Sequence, residues 1–152
     1  MDEPCPYCGG PVVHRTGADI YPHRPDLHRG HYWACGSCDA RVGCHPGTAL
    51  PLGRLADRRL RRLRMRAHQE FDKIWKFGRT TRPEAYIWLR RFLCLRKDDA
   101  HIGMFDEATC LKLLRACREK QYKAFIRERL RRKKGMRWRP ANGETTPQWT
   151  NC

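Results

Sequence analysis

The sequence predicts a small α+β protein, with a cysteine-held β module followed by a mostly α-helical unit of about three helices. Three observations carry that expectation. Two Cys-x-x-Cys pairs, Cys5-Pro6-Tyr7-Cys8 and Cys35-Gly36-Ser37-Cys38, are separated by 26 residues. Short β-forming runs broken by glycine and proline lie between and after them. From residue 56 onward the apolar residues recur with helical period.

The cysteine spacing sets the first element. A Cys-x-x-Cys turn lets two sulfurs reach one ion, and four thiolates close the tetrahedral shell of a structural Zn²⁺. Backbone amides of such turns help neutralise the thiolates. Residues 1–50 are therefore read as a β zinc ribbon, with Cys5, Cys8, Cys35 and Cys38 holding one ion. A disulfide pair or a redox site is the alternative use of these cysteines. Gly9 and Gly36 stand where knuckle turns often require positive φ.

Three strands are expected around the ion: Val12–His14, His31–Ala34 and Arg41–Cys44. Gly17, Pro22, Pro25 and Gly30 mark residues 16–30 as loop. So small a sheet needs the metal, because it cannot bury enough core to hold itself. His14, His23, His28, His31 and His45 also gather here, beside Cys44. Their spacing fits no standard second metal site, and a polar surface shared with Arg24 and Arg29 is the alternative. Cys44-His45-Pro46-Gly47-Thr48 reads as a tight turn at the end of the third strand.

Pro46, Gly47, Pro51 and Gly53 signal a linker, so residues 51–78 are a linker followed by an arginine-rich amphipathic helix from Ala56 to Phe77. Gly78 stops it and Asp57 complements its dipole in the first turn. Ala56, Leu60, Leu63, Ala67, Phe71, Ile74 and Trp75 form its apolar stripe. Arg58, Arg61, Arg62, Arg66, Lys73 and Lys76 lie opposite. The arginine fork suits paired phosphate oxygens and base stacking, so this face is a candidate nucleic-acid contact. A plainly solvated helix face is the alternative. His68 and Asp72, four apart, pair at the border of the two faces. With His45 they are the candidates for a metal-dependent nuclease; a structural hydrogen bond is the blander use.

Residues 79–134 are expected to form a helical hairpin. Thr81 and Glu84 make a capping box with Pro83 in the first turn, and the helix should reach Leu95. Tyr86, Leu89, Phe92 and Leu93 supply its apolar face, with Trp88 nearby. Asp106 then caps one long helix to Lys134, with Leu111, Leu114, Tyr122, Phe125 and Ile126 as its stripe. Cys110 and Cys117, seven apart, share a face as small core residues. His101 sits in the connecting loop, as a satisfied loop histidine or a functional imidazole.

Between Arg127 and Arg139 eight basic residues, including Arg131, Arg132, Lys133, Lys134 and Arg137, stand against one acid, with Trp138 among them. Such an arm contacts phosphates and stacks on bases, or is simply a solvated helix end. Residues 135–152 are read as a basic, polar, flexible tail.

Composition bounds the function. The 152 residues suffice for one domain or two small modules. With 32 Lys+Arg against 16 Asp+Glu, the formal net charge is +16, which suits a polyanion, most commonly nucleic acid. No apolar run approaches a membrane span and no signal region opens the chain. Nine cysteines without an export signal favour metal binding over a disulfide framework. A cytoplasmic protein with no membrane partner is expected.

The chain also resembles a family of zinc-finger-containing proteins of unknown function found in bacteriophages and prophages. The resemblance rests on Cys5–Gly10, Trp33-Ala34-Cys35 with Cys38, Val42–Thr48 and Pro51-Leu52-Gly53 with Leu55-Ala56-Asp57. It continues through Ala67-His68, Phe71-Asp72, Ile74–Lys76, Glu84–Tyr86 with Trp88-Leu89, and His101–Asp106 with Cys110. It implies a zinc finger and, for a phage-encoded chain, the host cell cytoplasm. The leading expectation is a non-catalytic nucleic-acid-binding protein, with DNA as the favoured partner, acting through the arginine helix and the basic arm. An interaction module or inhibitor that binds a host or phage nucleoprotein machine, a defence complex or polymerase, is the second expectation. The nuclease is the third.

Overall fold

The computed structural model describes residues 3–78 and 80–133. Three strands, β1 (Val12–Thr16), β2 (His31–Cys35) and β3 (Arg41–Gly43), pair antiparallel in the order β1-β2-β3. The register sets His14 opposite Trp33 and Trp33 opposite Val42. Cross-strand partners share a face, so Val12, Trp33 and Val42 point together toward Cys5, Cys35, Ala40 and Leu55 in a small buried core. The three predicted strands are all present. The loop expected over 16–30 contains two helical turns, α1 (Gly17–Ile20), opened by a Thr16/Asp19 capping box, and a 3-10 turn over Pro25–Leu27.

The turn after β3 follows from its residues. Pro46 and Gly47 occupy the two central positions, Gly47 takes φ +70°, and the Thr48 amide donates to the His45 carbonyl at 3.0 Å. Proline fixes the first φ and glycine tolerates the second, as a type II turn requires. Of the two knuckle glycines, Gly9 takes the positive φ (+72°) and Gly36 does not.

Four longer helices follow: α2 (Arg58–Lys76), α3 (Arg82–Leu93), α4 (Glu107–Arg118) and α5 (Tyr122–Lys133). The chain divides into two compact units, 1–64 with 101–106, and 65–100 with the residues from 107 on. This differs from boundaries at residues 50 and 78. The division falls inside α2, and the His101–Asp106 loop belongs with the ribbon. The reason is a close backbone approach in the first unit: a Cβ on Gly53 would collide with the Gly103 carbonyl, and the Arg54 amide donates to that oxygen at 3.1 Å.

α2 begins two residues later than expected. Asp57 stands just outside it as the cap, its Oδ1 accepting the Leu60 amide at 2.7 Å. Within α2, Ala67, Phe71 and Ile74 are buried, as the stripe predicts. α3 starts with the expected capping box, where the buried Glu84 carboxylate accepts from the Thr81 amide (3.1 Å) and the Thr80 hydroxyl (2.9 Å). Its buried face centres on Ala85, Trp88 and Leu89, with Tyr86, Phe92 and Leu93 at the margins. Trp88 stacks on Phe92 at 5.3 Å and meets Tyr122 edge-on at 5.9 Å.

The single long helix expected from Asp106 to Lys134 is two helices. Lys120 takes φ +56°. The Gln121 amide donates to Ala116 O at 3.0 Å and the Lys120 amide to Cys117 O at 3.1 Å. That pair of bonds is the Schellman stop, with lysine where glycine is usual. α3 ends the same way at Cys94, φ +54°, two residues short of Leu95. The α4 stripe is correspondingly shifted: Cys110, Leu113, Leu114 and Cys117 are buried at i, i+3, i+4 and i+7, and Leu111 is exposed. The two cysteines are core residues, as expected. The tail at 135–152 lies outside the described residues, and no described helix is long and apolar enough to cross a membrane.

Because a lysine held in the left-handed region is strained and glycine is not, Lys120→Gly is expected to stabilise the second unit by about 0.5–1 kcal/mol. Urea unfolding followed by the helical signal checks this, with Lys120→Ala as the variant that gains nothing.

Candidate metal centre

The two knuckles face each other at the same end of the sheet's first hairpin, where the start of β1 (Val12) pairs with the end of β2 (Cys35). In the first, the Cys5 amide donates to Gly10 O (2.9 Å) and the Gly9 amide returns to Cys5 O (2.8 Å), so residues 5–10 close into one tight loop. In the second, the Cys35 amide donates to Ala40 O at 2.9 Å and the Gly36 amide to Pro11 O at 2.9 Å, tying the knuckles together. All four sulfurs lie within 4.8 Å of one another. Cys5 Sγ and Cys38 Sγ are 3.6 Å apart, and Cys8 Sγ and Cys35 Sγ 3.4 Å. Tetrahedral Zn²⁺ with bonds near 2.3 Å would set sulfurs about 3.8 Å apart, so the cluster fits that ion.

The electrostatics point the same way. The Ser37 amide, 3.3 Å from Cys35 Sγ, draws that thiol down to about 7. The Ala40 amide pulls Cys38 down too, but burial and the neighbouring sulfurs outweigh it and push Cys38 up to about 12. Cys8 is also raised: the Gly10 amide lowers it, and the bond to Cys35 with burial reverses the sign. The Cys35 thiolate forms readily while Cys8 and Cys38 resist, because adjacent negative sulfurs repel. A divalent cation removes that obstacle. Four protein thiolates leave no open position, so the centre is structural.

The chain belongs to a family of zinc-finger-containing domains. The family model matches residues 2–120, which include all four cysteines and end at the left-handed Lys120. No curated protein and no solved structure matches the chain. The zinc-finger assignment and the four-sulfur cluster agree on one structural zinc.

The candidate phosphate-contacting residues separate into groups. Arg58, Arg62 and Arg66 are exposed and make no ion pair with a described residue. Arg61 is turned inward: its Nη1 donates to Asp39 O (2.6 Å) and Ala56 O (2.7 Å), and its Nη2 to Asp39 Oδ2 (3.1 Å). Arg64, not singled out from sequence, does the same within the first unit, with Nε on Phe105 O (2.8 Å) and Nη1 on Arg54 O (2.7 Å). Their three-residue spacing places both beside the apolar stripe, which is the signal that marks them. Lys73 pairs with Glu70 at 2.7 Å, and Arg132 with Glu128 at 2.6 Å. Arg131 is half-buried on α5. α5 ends at Lys133, and Lys134 and Arg137 lie outside the described residues.

The nuclease candidates belong to different units. His45 is in the first, held in the type II turn; His68 and Asp72 are in the second. Among the described residues, the four cysteines are the one group of three or more His, Cys, Asp or Glu side chains close enough to share an ion. His101 caps a short 3-10 turn, Ile102–Met104, through its carbonyl, which accepts the Met104 amide at 2.8 Å. Asp72 does structural work on α2. Its carboxylate lies 3.4 Å from His68 Nδ1 and 2.8 Å from Lys76 Nζ, and accepts from Trp75 Nε1 at 3.2 Å. Burial opposes its ionisation, but Lys76, His68 and Trp75 outweigh it and hold the carboxyl below its usual range.

Two outcomes are expected. Cys5→Ser or Cys38→Ser should lose the zinc and unfold the ribbon while α3, α4 and α5 persist, as read by metal content and amide spectra. The depressed Asp72 carboxyl contributes stability that is present above its unfolded pKa and lost as pH falls through the lower folded value. Asp72→Asn should therefore be less stable than wild type at neutral pH, and the two unfolding midpoints should converge below about pH 4.

Proposed function

We propose that this zinc-finger protein is a non-catalytic nucleic-acid-binding protein, with DNA as its partner, working in the bacterial cytoplasm in a phage or prophage setting. The observation that carries the reading is the exposed guanidinium groups of α2, Arg58 and Arg62 in the first unit and Arg66 in the second, none ion-paired with a described residue. Their spacing of four residues keeps them on one side of the helix, with about 6 Å of rise between neighbours. A fold that spends Arg61 and Arg64 on its own carbonyls leaves these groups to solvent, and the net charge of +16 adds a long-range pull on phosphate. The basic segment from Arg127 supplies further cations, some of which Glu128 offsets.

Phosphate contact by each arginine contributes about 0.9 to the slope of log affinity against log salt. The triple variant Arg58→Gln, Arg62→Gln, Arg66→Gln should keep its fold, bind duplexes of unrelated sequence uniformly more weakly, and show a slope shallower by about 2–3. Fluorescence anisotropy across a salt series measures it. A wild-type chain with no affinity for duplex or single strands at low salt removes this function.

Docking on a protein machine is a second reading, favoured by Met65 and Phe77, which are 58% and 84% exposed in the second unit. A specific protein partner that survives nuclease treatment in a pulldown, and is lost in Phe77→Ser, would support it over direct nucleic-acid binding.

A further inference from the structure

The start of α2 is the part of that helix least able to form on its own. Arg58, Arg59, Arg61 and Arg62 crowd its first turns, no acid lies inside the first turn, and the Asp57 cap is the one carboxylate that opposes them there. Cations at a helix N-terminus face the positive end of the dipole, and like charges four residues apart repel. One cap against four cations leaves room for a contact from outside the helix to hold this end.

The second zinc knuckle provides that contact. Asp39 directly follows the ligand Cys38, and the next amide, Ala40, points at Cys38 Sγ from 3.5 Å. Arg61 reaches from the second turn of α2 to this segment, with two bonds to Asp39, and closes a third on Ala56 O just before the helix. Ala56 is itself paired with β3 through Arg41, by the amide of each on the carbonyl of the other at 2.9 and 3.3 Å. Leu55 is buried among the ribbon's core residues, beside Cys5 and Cys35. The peptide that carries the metal ligand thus also carries the receptor for the helix.

We propose that Asp39 and Arg61 form a positioning clamp that makes the phosphate-contacting start of α2 depend on the filled zinc knuckle. The proposal rests on the nucleic-acid reading above for its consequence, and on the clamp geometry for its mechanism. With zinc bound, the knuckle holds the Asp39 carbonyl and carboxylate in place, Arg61 locks onto them, and Arg58 and Arg62 are presented in helical register. When the ion leaves, the four-sulfur loop loses its constraint, the clamp has no fixed partner, and residues 58–63 fray. Nucleic-acid affinity then follows metal occupancy, although no zinc ligand touches nucleic acid.

The test uses the full chain and two readouts, hydrogen exchange over residues 57–64 and anisotropy with a labelled duplex. Removing zinc with a chelator should speed exchange in this segment at least about tenfold and weaken binding, and restoring zinc should reverse both. Arg61→Ala and Asp39→Ala separate the clamp from general unfolding, because both should retain one zinc. Arg61→Ala should raise exchange about tenfold. Asp39→Ala removes only the exposed carboxylate, so its effect should be nearer threefold. Its sign is decisive. Losing an acid raises the net positive charge, so charge alone predicts tighter binding, whereas the clamp predicts weaker binding. An Asp39→Ala protein that binds more tightly with unchanged exchange overturns the proposal, as does a zinc-free chain that keeps residues 58–63 protected. A wild-type chain without nucleic-acid affinity overturns the function reading, and the exchange results still decide the clamp.

Discussion

Four sulfurs within 4.8 Å form the constraint on which the first unit depends. Without a cation, burial and the neighbouring sulfurs oppose ionisation of Cys8 and Cys38, and a few small apolar side chains and backbone bonds hold the two knuckles together. With zinc bound, binding free energy becomes folding free energy, on the order of 10 kcal/mol for isolated zinc modules. That term is as large as the gross burial of the ribbon's core, and it comes from one ion. Ala40, Val42 and Leu55 with half-buried Val12 and Trp33 amount to a few side chains at about 1.5–3 kcal/mol each, opposed by the entropy of ordering the whole segment. The second unit needs no such ion. Trp88, Phe71, Ile74, Leu89 and Leu113 are all but fully buried there, and they supply an ordinary hydrophobic core.

This difference explains which parts of the fold were legible in the sequence. The Cys-x-x-Cys pairs name their own chemistry, and the three strands follow from them. The α3 capping box is equally plain, because Thr81 and Glu84 carry it in their side chains. The helix stops were not plain. Lys120 and Cys94 occupy left-handed positions that sequence reading assigns to glycine, so α4 and α5 merged into one expected helix. A backbone conformation imposed by tertiary packing leaves no mark in residue type. The attachment of residues 101–106 to the ribbon was hidden for the same reason. It rests on Gly53 meeting Gly103, two glycines 50 positions apart whose significance is their missing side chains.

The candidate site was legible in charge but not in assignment. Six arginines from 58 to 66 look alike in sequence. In the fold five of them split by distance from the apolar stripe: Arg61 and Arg64 serve backbone carbonyls, whereas Arg58, Arg62 and Arg66 face water. An arginine bonded to two carbonyls contributes through charge-assisted hydrogen bonds of about 1.5–3 kcal/mol, while an exposed ion pair adds about 0–1. The carbonyl bonds therefore outweigh the Asp39 carboxylate in fixing Arg61, whose side chain is 22% exposed against 49% for Asp39.

What remains on the surface of α2 is unfavourable in isolation. Each cation near the helix N-terminus opposes the dipole by about 0.3–1 kcal/mol, and each like pair four residues apart adds about 0.2–0.5 kcal/mol. Arg58 with Arg62, and Arg62 with Arg66, are two such pairs. A protein under selection for stability alone would place glutamate in that first turn. On the nucleic-acid reading the penalty has a physical reason: a phosphate chain supplies the missing negative charge, and its condensed counterions leave with a gain in entropy. The same arrangement asks for an external brace on the unliganded helix. Arg61 finds that brace in the Asp39 carbonyl and carboxylate beside the zinc ligand Cys38, and in the Ala56 carbonyl that pairs with β3.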